Sequence, residues 1–273
     1  HHSSDYDNLK DLFRPSHADF TYLSKYGIRD HRGGGRASAR TTIAQCVAGA
    51  LAKWALKQLA PQMDIYAFCS QIGTIYANNP ADIKAARAIS DSNAVRCPDS
   101  EAANKMESLI KEVHKEQDSI GGVVSCIIEN CPVGLGEPLF DKLHARLGYT
   151  MLNINAAKGF EYGDGFDSAT QRGSYHNDSF TTDEKGDIAT TSNHSGGIQG
   201  GISNGQTISF RVAFKPTPTI GIAQQTVDKN LNAVTLEAKG RHDPCVVPRA
   251  VPVVENCAAF VILDSLLMNK IWQ

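Results

Sequence analysis

The stretch QTISFRVAFKPT, residues 206–217, alternates strictly between apolar and polar side chains. Phe210 and Val212 fall on one face of an extended chain, whereas Ser209 and Arg211 fall on the other. A strand with one buried face and one polar face is typical of an antiparallel sheet. We therefore expect an antiparallel sheet whose apolar face is covered by other parts of the chain.

Helical periodicity dominates the longer segments on either side of this strand. Apolar side chains that recur at three- and four-residue steps predict helices over residues 37–59, 99–117, 138–147 and 250–269. Short β-rich runs predict further strands over residues 66–75 and 119–129. Because strands and helices follow in mixed order without regular βαβ spacing, the pattern favours the α+β class over a doubly wound sheet.

The charge balance limits the classes of partner. The 273 residues carry a formal net charge of −2, with 41% hydrophobic and 21% charged residues, as is usual for a compact globular protein. This charge gives no bulk attraction to nucleic acid or to anionic membranes. No run approaches the roughly 18 uncharged apolar residues of a membrane span. We therefore expect a soluble protein with no nucleic-acid and no membrane partner.

The cysteine pattern bears on metals and redox chemistry. Seven cysteines, an odd number, are widely spaced and form no CxxC pair. The pattern predicts reduced structural thiols and argues against a disulfide framework or a zinc site, so no bound metal is expected. The first four residues, HHSS, are consistent with the end of an affinity tag or with native chain.

The segment RDHRGGGRASAR, residues 29–40, is a candidate anion site. Its three glycines let the backbone approach a ligand closely, and the helix predicted to follow has free N–H groups that favour an anion. Arg36 and Arg40 would share the first turn, where positive charge opposes the helix dipole unless a bound anion compensates it. A solvated basic loop is the alternative interpretation.

Three further segments combine charged or titratable residues with turns: FRPSHAD (13–19), KPTPTI (215–220) and GRHDPCVVPRAVPVVE (240–255). Asp19 could hold the imidazole of His17, and Lys215 could bind phosphate. Each segment also has a structural interpretation, as a turn histidine, a loop lysine, or ion pairs that cap a helix. Residues 162–205, rich in glycine and polar residues, are either a linker or a functional loop system.

Taken together, these segments supply many arginines, several glycine turns and few carboxylates free to bind a metal. Such a set suits a polyanionic small molecule. Chemistry beyond acid–base catalysis would need a bound cofactor.

Six motifs, in order along the chain, resemble the chorismate synthase family: RPSHAD, YGIRDHRGGGRASAR, GDGFDSATQRGS, GGIQGGISNGQ, KPTPTI and GRHDPCVVPRAVPVVE. The resemblance runs from Asp5 to Leu267. It implies one domain over residues 5–273 with a β-α-β sandwich fold, in which helices lie between antiparallel sheets, and assembly as a homotetramer. A cytoplasmic location is expected, with a plastid-type organelle as the alternative.

The resemblance also implies an activity. Family members convert 5-enolpyruvylshikimate 3-phosphate to chorismate and phosphate, the last step of the shikimate pathway, by an anti-1,4-elimination that requires reduced FMN. Bifunctional relatives reduce their flavin with NADPH, and the sequence leaves open whether this chain does so. The flavin lends electron density to the elimination, so the protein must hold it against the substrate and away from water.

Roles are carried over residue by residue. His17 resembles the family histidine that protonates the reduced flavin, and Asp243 resembles the aspartate that helps to move the substrate's proton. Arg32 and Arg249 are expected to bind the substrate's phosphate and carboxylates. The positions that match FMN-binding residues of the family are Arg36, Ala37, Ser38, Asn155, Ala156, Gly200, Lys215, Pro216, Thr217, Pro218, Thr219 and Arg241.

The sequence departs from the family pattern in four places. Ser16 replaces the glycine of RPGHAD, Ala37 replaces a serine of GGGRSSAR, and Pro218 replaces a serine of KPTSSI and removes a backbone donor. Family members also begin with a further segment that carries a GESHG motif and an arginine pair, neither of which this sequence contains. If the sequence is complete, we expect severely impaired catalysis, and the alternative function is that of an FMN-binding fragment.

Overall fold

The structure of the protein, a computed structural model, describes residues 9–31, 35–184, 186–237 and 243–272. Within these ranges the helices are α1 (Asp19–Tyr26), α2 (Thr42–Leu59), α3 (Ile83–Asp91), α4 (Ser100–Lys115), α5 (Leu143–Leu152), α6 (Gly173–His176) and α7 (Val247–Asn269). The strands are β1 (Asp64–Ile72), β2 (Ile75–Tyr76), β3 (Gly122–Glu129), β4 (Ala157–Tyr162), β5 (Phe180–Thr182), β6 (Ile188–Thr190), β7 (Ile198–Gln199), β8 (Ile202–Ser203), β9 (Ile208–Phe214), β10 (Gln224–Val227) and β11 (Ala233–Leu236). Short 3₁₀ helices cover Gly35–Ala37, Ala39–Thr41 and Gly165–Thr170.

Five strands form one antiparallel sheet in the order β2-β1-β3-β9-β4. Phe210 of β9 lies opposite Cys126 of β3 and Tyr162 of β4. The apolar side chains of β9 are buried, whereas Arg211 on the opposite face forms an ion pair with Glu161 of β4 at 2.5 Å. The predicted alternation and the antiparallel sheet are therefore confirmed.

Helices cover the apolar face of this sheet. α7 packs on β1 and β3, α5 packs on β4, and α2 lies on α7. Because α7 is enclosed between the sheet and α2, its side chains are buried on most sides. Among the described residues it is the one helix long and apolar enough to cross a membrane, and its position in the core accounts for that hydrophobicity.

The two faces of α2 differ from what its periodicity suggests. The face against α7 carries small side chains, including Gly49 and Ala52, and a Cβ atom at Gly49 would overlap Asn256 of α7. The large apolar residues that predicted the helix lie on the opposite, exposed face, at 59–71% exposure: Ile43, Val47, Leu51 and Trp54. Small residues of α2 face α7 because they let the backbones of the two helices approach closely.

α3 covers part of the other face of the sheet. Tyr66 and Phe68 of β1 stack there at 5.3 Å, and α3 packs over them. Tyr66 shares a hydrogen bond of 2.6 Å with Ser90 of α3, and the guanidinium of Arg87 lies 5.0 Å from its ring centre. The segment around α3 thus completes a second, small apolar cluster.

Most predicted elements are present, with shifted ends. α4 and α7 match their predictions closely, and Asp99 caps α4 by accepting from the backbone of Glu101 and Ala102. α2 begins five residues later than predicted, after two 3₁₀ turns. The helix predicted over residues 138–147 was misplaced and spans Leu143–Leu152 instead. Asp141 adopts φ of 59°, which an α-helix does not allow.

The seven cysteines are unpaired, as predicted. Six of them are buried, and burial raises the pKa of Cys131 to about 12 and that of Cys245 to about 11. Thiols that stay protonated at neutral pH are poor nucleophiles and poor metal ligands. No cluster of metal-binding side chains occurs among the residues that the structure describes.

Residues 162–205 form a folded loop system in the described part of the chain, organised around Asp178. Its carboxylate accepts hydrogen bonds from the backbone N–H groups of His194 and Ser195 at 2.8 and 2.9 Å, and from the hydroxyls of Ser192 and Ser195 at 2.7 and 2.6 Å. Burial alone would raise the pKa of Asp178, but these hydrogen bonds outweigh it and hold the pKa well below its ordinary value.

This arrangement makes stability depend on pH. Because the pKa of Asp178 is lowered by folding, its contribution is present above the ordinary aspartate pKa of about 3.9 and is lost as the pH falls below that value. We expect the urea midpoint of the native chain to fall between pH 6 and pH 3, and Asp178→Asn to reduce that fall. Asp91→Asn, at an exposed site at the end of α3, is the control. An equal pH dependence in native and Asp178→Asn chains would contradict the assignment.

Candidate active site

The predicted site residues near the start of the described chain meet at Asp19, the first residue of α1. The guanidinium of Arg14 donates to both carboxylate oxygens of Asp19, from Nε at 2.8 Å and from Nη2 at 3.0 Å. His17 Nδ1 lies 2.9 Å from Oδ1 of the same carboxylate, and Arg29 Nη1 lies 2.6 Å from it. The turn RPSHAD therefore closes on its own aspartate.

The carboxylate of Asp19 is almost fully enclosed, with 4% of its side chain exposed. Burial would raise its pKa, but hydrogen bonds from His17 and Arg14 and their charges outweigh that effect and hold the pKa far below its ordinary range. The surrounding cations therefore favour the ionised form of Asp19. Arg29 also donates to the carbonyl oxygens of Leu9 and Leu12, and so ties the preceding segment to this centre.

Lys215 connects this turn to the end of β9. Its ammonium donates to the carbonyl oxygen of Ser16 at 2.7 Å, and its backbone N–H donates to the carbonyl of Ala156 at 3.0 Å. Burial and the charge of nearby Lys158 lower the pKa of Lys215. Arg14 completes the link by donating from Nη1 to the hydroxyl of Thr219 at 3.3 Å.

Ser16 occupies a backbone conformation that favours glycine, with φ of 58°. We expect Ser16→Gly to raise the free energy of unfolding by about 1 kcal/mol, because a Cβ atom is strained in the left-handed region. Urea denaturation measures this change. The matched control is Ser108→Gly in the interior of α4, which should cost about 1 kcal/mol. Destabilisation by both substitutions would contradict the assignment of strain to Ser16.

The start of α2 meets the loop after α5. Asn155 donates from Nδ2 to the carbonyl oxygen of Ala37 at 3.5 Å, and its Oδ1 accepts from the Thr41 hydroxyl at the same distance. The Ser38 hydroxyl accepts from the backbone of Arg40 at 3.3 Å and so caps the short helix before α2. Arg36, with Ala37 and Ser38, is thereby brought beside Asn155 and Ala156, and through Ala156 to Lys215.

The described part of the last motif, from Asp243 onwards, contacts the loop that follows β9 and contains Lys215. The Thr217 hydroxyl donates to the carbonyl oxygen of Asp243 at 2.7 Å, and the Thr217 carbonyl accepts from Ser119 at 2.8 Å. The carboxylate of Asp243 is held by Arg249 Nη1 at 2.9 Å. Asp243 is 21% exposed and Arg249 77% exposed, so the arginine could turn towards a ligand.

Pro216 and Pro218 lie in the same loop as Thr217, and proline fixes the backbone there without offering an N–H donor. Arg32 and Arg241 lie outside the described residues. Gly200 lies away from the other described residues that were predicted to bind FMN. It lies in the turn between β7 and β8, next to Gly201, whose carbonyl accepts from Leu143 at the start of α5.

Asn155, by contrast, follows the C-terminal end of α5. A helix of ten residues spans about 15 Å, so Gly200 and Asn155 lie near opposite ends of that length.

One group of residues was not predicted as a site. An open cavity of about 620 Å³ lies between α5, the end of β4 and the loop system. His194 in its wall contacts Asp164 at 2.7 Å, and His144 stacks on Tyr162 at 4.7 Å. None of the predicted site residues that the structure describes lines this cavity. The motifs GDGFDS and NHSGG mark its walls in the sequence, but their histidine and aspartate are brought together only by the fold.

The fold and the site define a mixed α/β protein with a five-stranded antiparallel sheet, a helical layer, and a cation-rich corner where three distant loops meet. The family model for chorismate synthase matches residues 1–267. A protein named chorismate synthase from Parabacteroides distasonis is 58% identical over 98% of this chain and 74% of the relative. A second, from Phocaeicola vulgatus, is 57% identical over 100% of this chain and 75% of the relative.

A solved structure gives the same result for the fold. The chain matches a crystal structure of chorismate synthase with a TM-score of 0.75 and 30% sequence identity, over 92% of this chain and 70% of that one. The chain belongs to the chorismate synthase family of lyases. The predicted family, enzyme class and fold class are therefore confirmed, although the described residues contain one large sheet rather than two.

Proposed function

We propose that this chain catalyses the elimination of phosphate from 5-enolpyruvylshikimate 3-phosphate to give chorismate, with reduced FMN as cofactor. The observation that carries the proposal is the convergence at one corner of motifs separated by most of the chain. Lys215 contacts Ser16 across 199 residues, and Arg14 contacts Thr219 across 205. Residues that the family resemblance assigns to cofactor and proton transfer are thus neighbours.

The side chains at this corner suit a flavin phosphate and an anionic substrate. Burial and the charge of Lys158 lower the pKa of Lys215, and a phosphate placed beside the two ammonium groups would relieve their repulsion. Arg36 is exposed in the 3₁₀ helix Gly35–Ala37, which precedes α2, and its guanidinium suits a phosphate. Reduced FMN bound there would donate electron density transiently to the elimination.

The residues of the chain then provide position and protons. We assign to His17, oriented by Asp19, the donation of a proton to the bound cofactor. We assign to Asp243, held by Arg249, a part in moving the substrate's proton. Residues 215–219 form the loop that we call the cofactor loop. Its Thr217 contacts Asp243, and its Thr219 contacts Arg14, which in turn contacts His17.

The experiment is phosphate release from 5-enolpyruvylshikimate 3-phosphate by the chain with photoreduced FMN in the absence of oxygen. The full-length Parabacteroides distasonis relative is the comparison, because this chain spans about three quarters of its length. Turnover that requires reduced FMN supports the proposal. Turnover by neither protein would contradict it. FMN binding without turnover by this chain alone would favour the alternative, an impaired FMN-binding fragment. Supplying NADPH and oxidised FMN instead tests for a built-in flavin reductase.

We also propose a single domain over residues 5–273 that assembles as a homotetramer, as the family resemblance implies, and acts in the cytoplasm, as the bacterial relatives suggest. Two features support further packing partners for this chain. The outer face of α2 exposes Val47, Leu51 and Trp54, and Gly200 lies far from the other cofactor positions of its own chain. Sedimentation of the chain and of the longer relative tests the assembly, and a monomer in both cases would contradict it.

A further inference from the structure

Asp19 is a buried carboxylate to which neither the family resemblance nor the comparisons assign a role. It receives two hydrogen bonds from the Arg14 side chain and a third from the Arg14 backbone N–H at 3.1 Å. A second guanidinium, that of Arg29, also contacts it. These cations fix the carboxylate from several sides, so the oxygen that faces His17 has little freedom to move.

The contacts of His17 allow two states of Nδ1, which either accepts a hydrogen bond from Arg14 Nη2 or carries a proton directed at Asp19 Oδ1. Nδ1 lies 2.9 Å from Asp19 Oδ1 and 3.1 Å from Arg14 Nη2, and Arg14 Nη2 lies 3.0 Å from the same Oδ1. The three atoms form a nearly equilateral triangle, as expected when two donors share one acceptor. A bare Nδ1 would instead place its lone pair against an ionised oxygen at hydrogen-bond distance, which is repulsive.

Assuming the cofactor role proposed above for His17, we propose that Asp19 is its positioning residue. Asp19 holds the imidazole with Nδ1 protonated, which leaves Nε2 as the nitrogen that carries the transferable proton. With Nδ1–H held on Asp19, the protonated ring gives up its proton from Nε2 and returns to the neutral Nδ1–H form. Arg14 extends the same network to the Thr219 hydroxyl, so the orientation of the ring is fixed relative to the cofactor loop.

The first test uses the native chain without flavin. Long-range ¹⁵N–¹H correlation spectra of ring-labelled histidine, recorded at a pH at which the His17 ring is neutral, report the tautomer directly. We expect the Nδ1–H form for His17, assigned by its loss in His17→Gln. A predominant Nε2–H form, with Nδ1 accepting from Arg14, would overturn the inference whatever the activity of the chain.

The second test substitutes the carboxylate. Asp19→Asn is expected to shift His17 away from the Nδ1–H form and to lower kcat by about 100-fold, with little change in KM for the substrate. Asp11→Asn, an exposed carboxylate nearby in sequence, should alter neither. If His17 keeps its native tautomer in folded Asp19→Asn, the inference about Asp19 is overturned, whereas the role proposed for His17 is not affected. A changed tautomer with normal turnover would instead contradict the role proposed for His17 itself.

Discussion

Replacement of His17 by alanine is expected to lower turnover by about 100- to 10,000-fold, the usual contribution of a general acid or base. His17 is half-buried, lies against Asp19, and belongs to the turn that Lys215 joins to the cofactor loop. The loss should fall on kcat, because the residue is proposed to act in proton transfer and not in binding. Steady-state phosphate release under anaerobic conditions measures it.

The control for this substitution is His114→Ala, on the exposed side of α4 and away from the candidate site. It should leave turnover within a factor of about two of the native value, as surface substitutions usually do. FMN affinity should also survive in His17→Ala. A His17→Ala chain with native kcat, or with kcat restored at high FMN concentration, would show that the residue has another role.

Replacement of Gly49 by alanine should destabilise the chain by about 3 kcal/mol, because the added methyl group overlaps Asn256 of α7. α2 lies on α7 at this point, and the backbone of α7 cannot move without disturbing the sheet beneath it. The change should appear as a lower urea midpoint with an unchanged slope.

Gly173→Ala provides the matched control, since a Cβ atom at Gly173 meets nothing within 4 Å. This substitution should alter the free energy of unfolding by less than about 0.5 kcal/mol. If Gly49→Ala were equally mild, α2 and α7 would have to lie further apart than in the structure. Because α2 begins next to the candidate site, Gly49→Ala should also weaken FMN binding.

The sequence predicted those parts of the fold whose patterns are local. The alternation of β9 predicted its buried face, and the periodicity of α4 and α7 predicted their extents within a few residues. β4 was not predicted, because AKGFEY has neither strict alternation nor a long apolar run. α3 was not predicted either, because it covers a two-residue aromatic cluster that only the fold of β1 creates.

The contacts of the candidate site also fall into those that the sequence could predict and those that it could not. The contact between His17 and Asp19 could be anticipated, since the two residues are close in sequence. The contacts of Lys215 with Ser16 and of Thr217 with Asp243 could not, because they depend on how distant loops end at one edge of the sheet. The resemblance to the family supplied the residues, whereas their functional roles stay predictions.

The central claim is that the corner formed by these loops binds FMN together with the substrate, and calorimetric titration with FMN tests it most directly. FMN should bind the native chain, and more tightly in the presence of 5-enolpyruvylshikimate 3-phosphate, as two coupled sites require. Lys215→Met, which removes the ammonium but keeps most of the length of the side chain, should weaken binding by about tenfold, the loss of one charged hydrogen bond. FMN affinity unaffected by the substrate and by Lys215→Met would contradict the account.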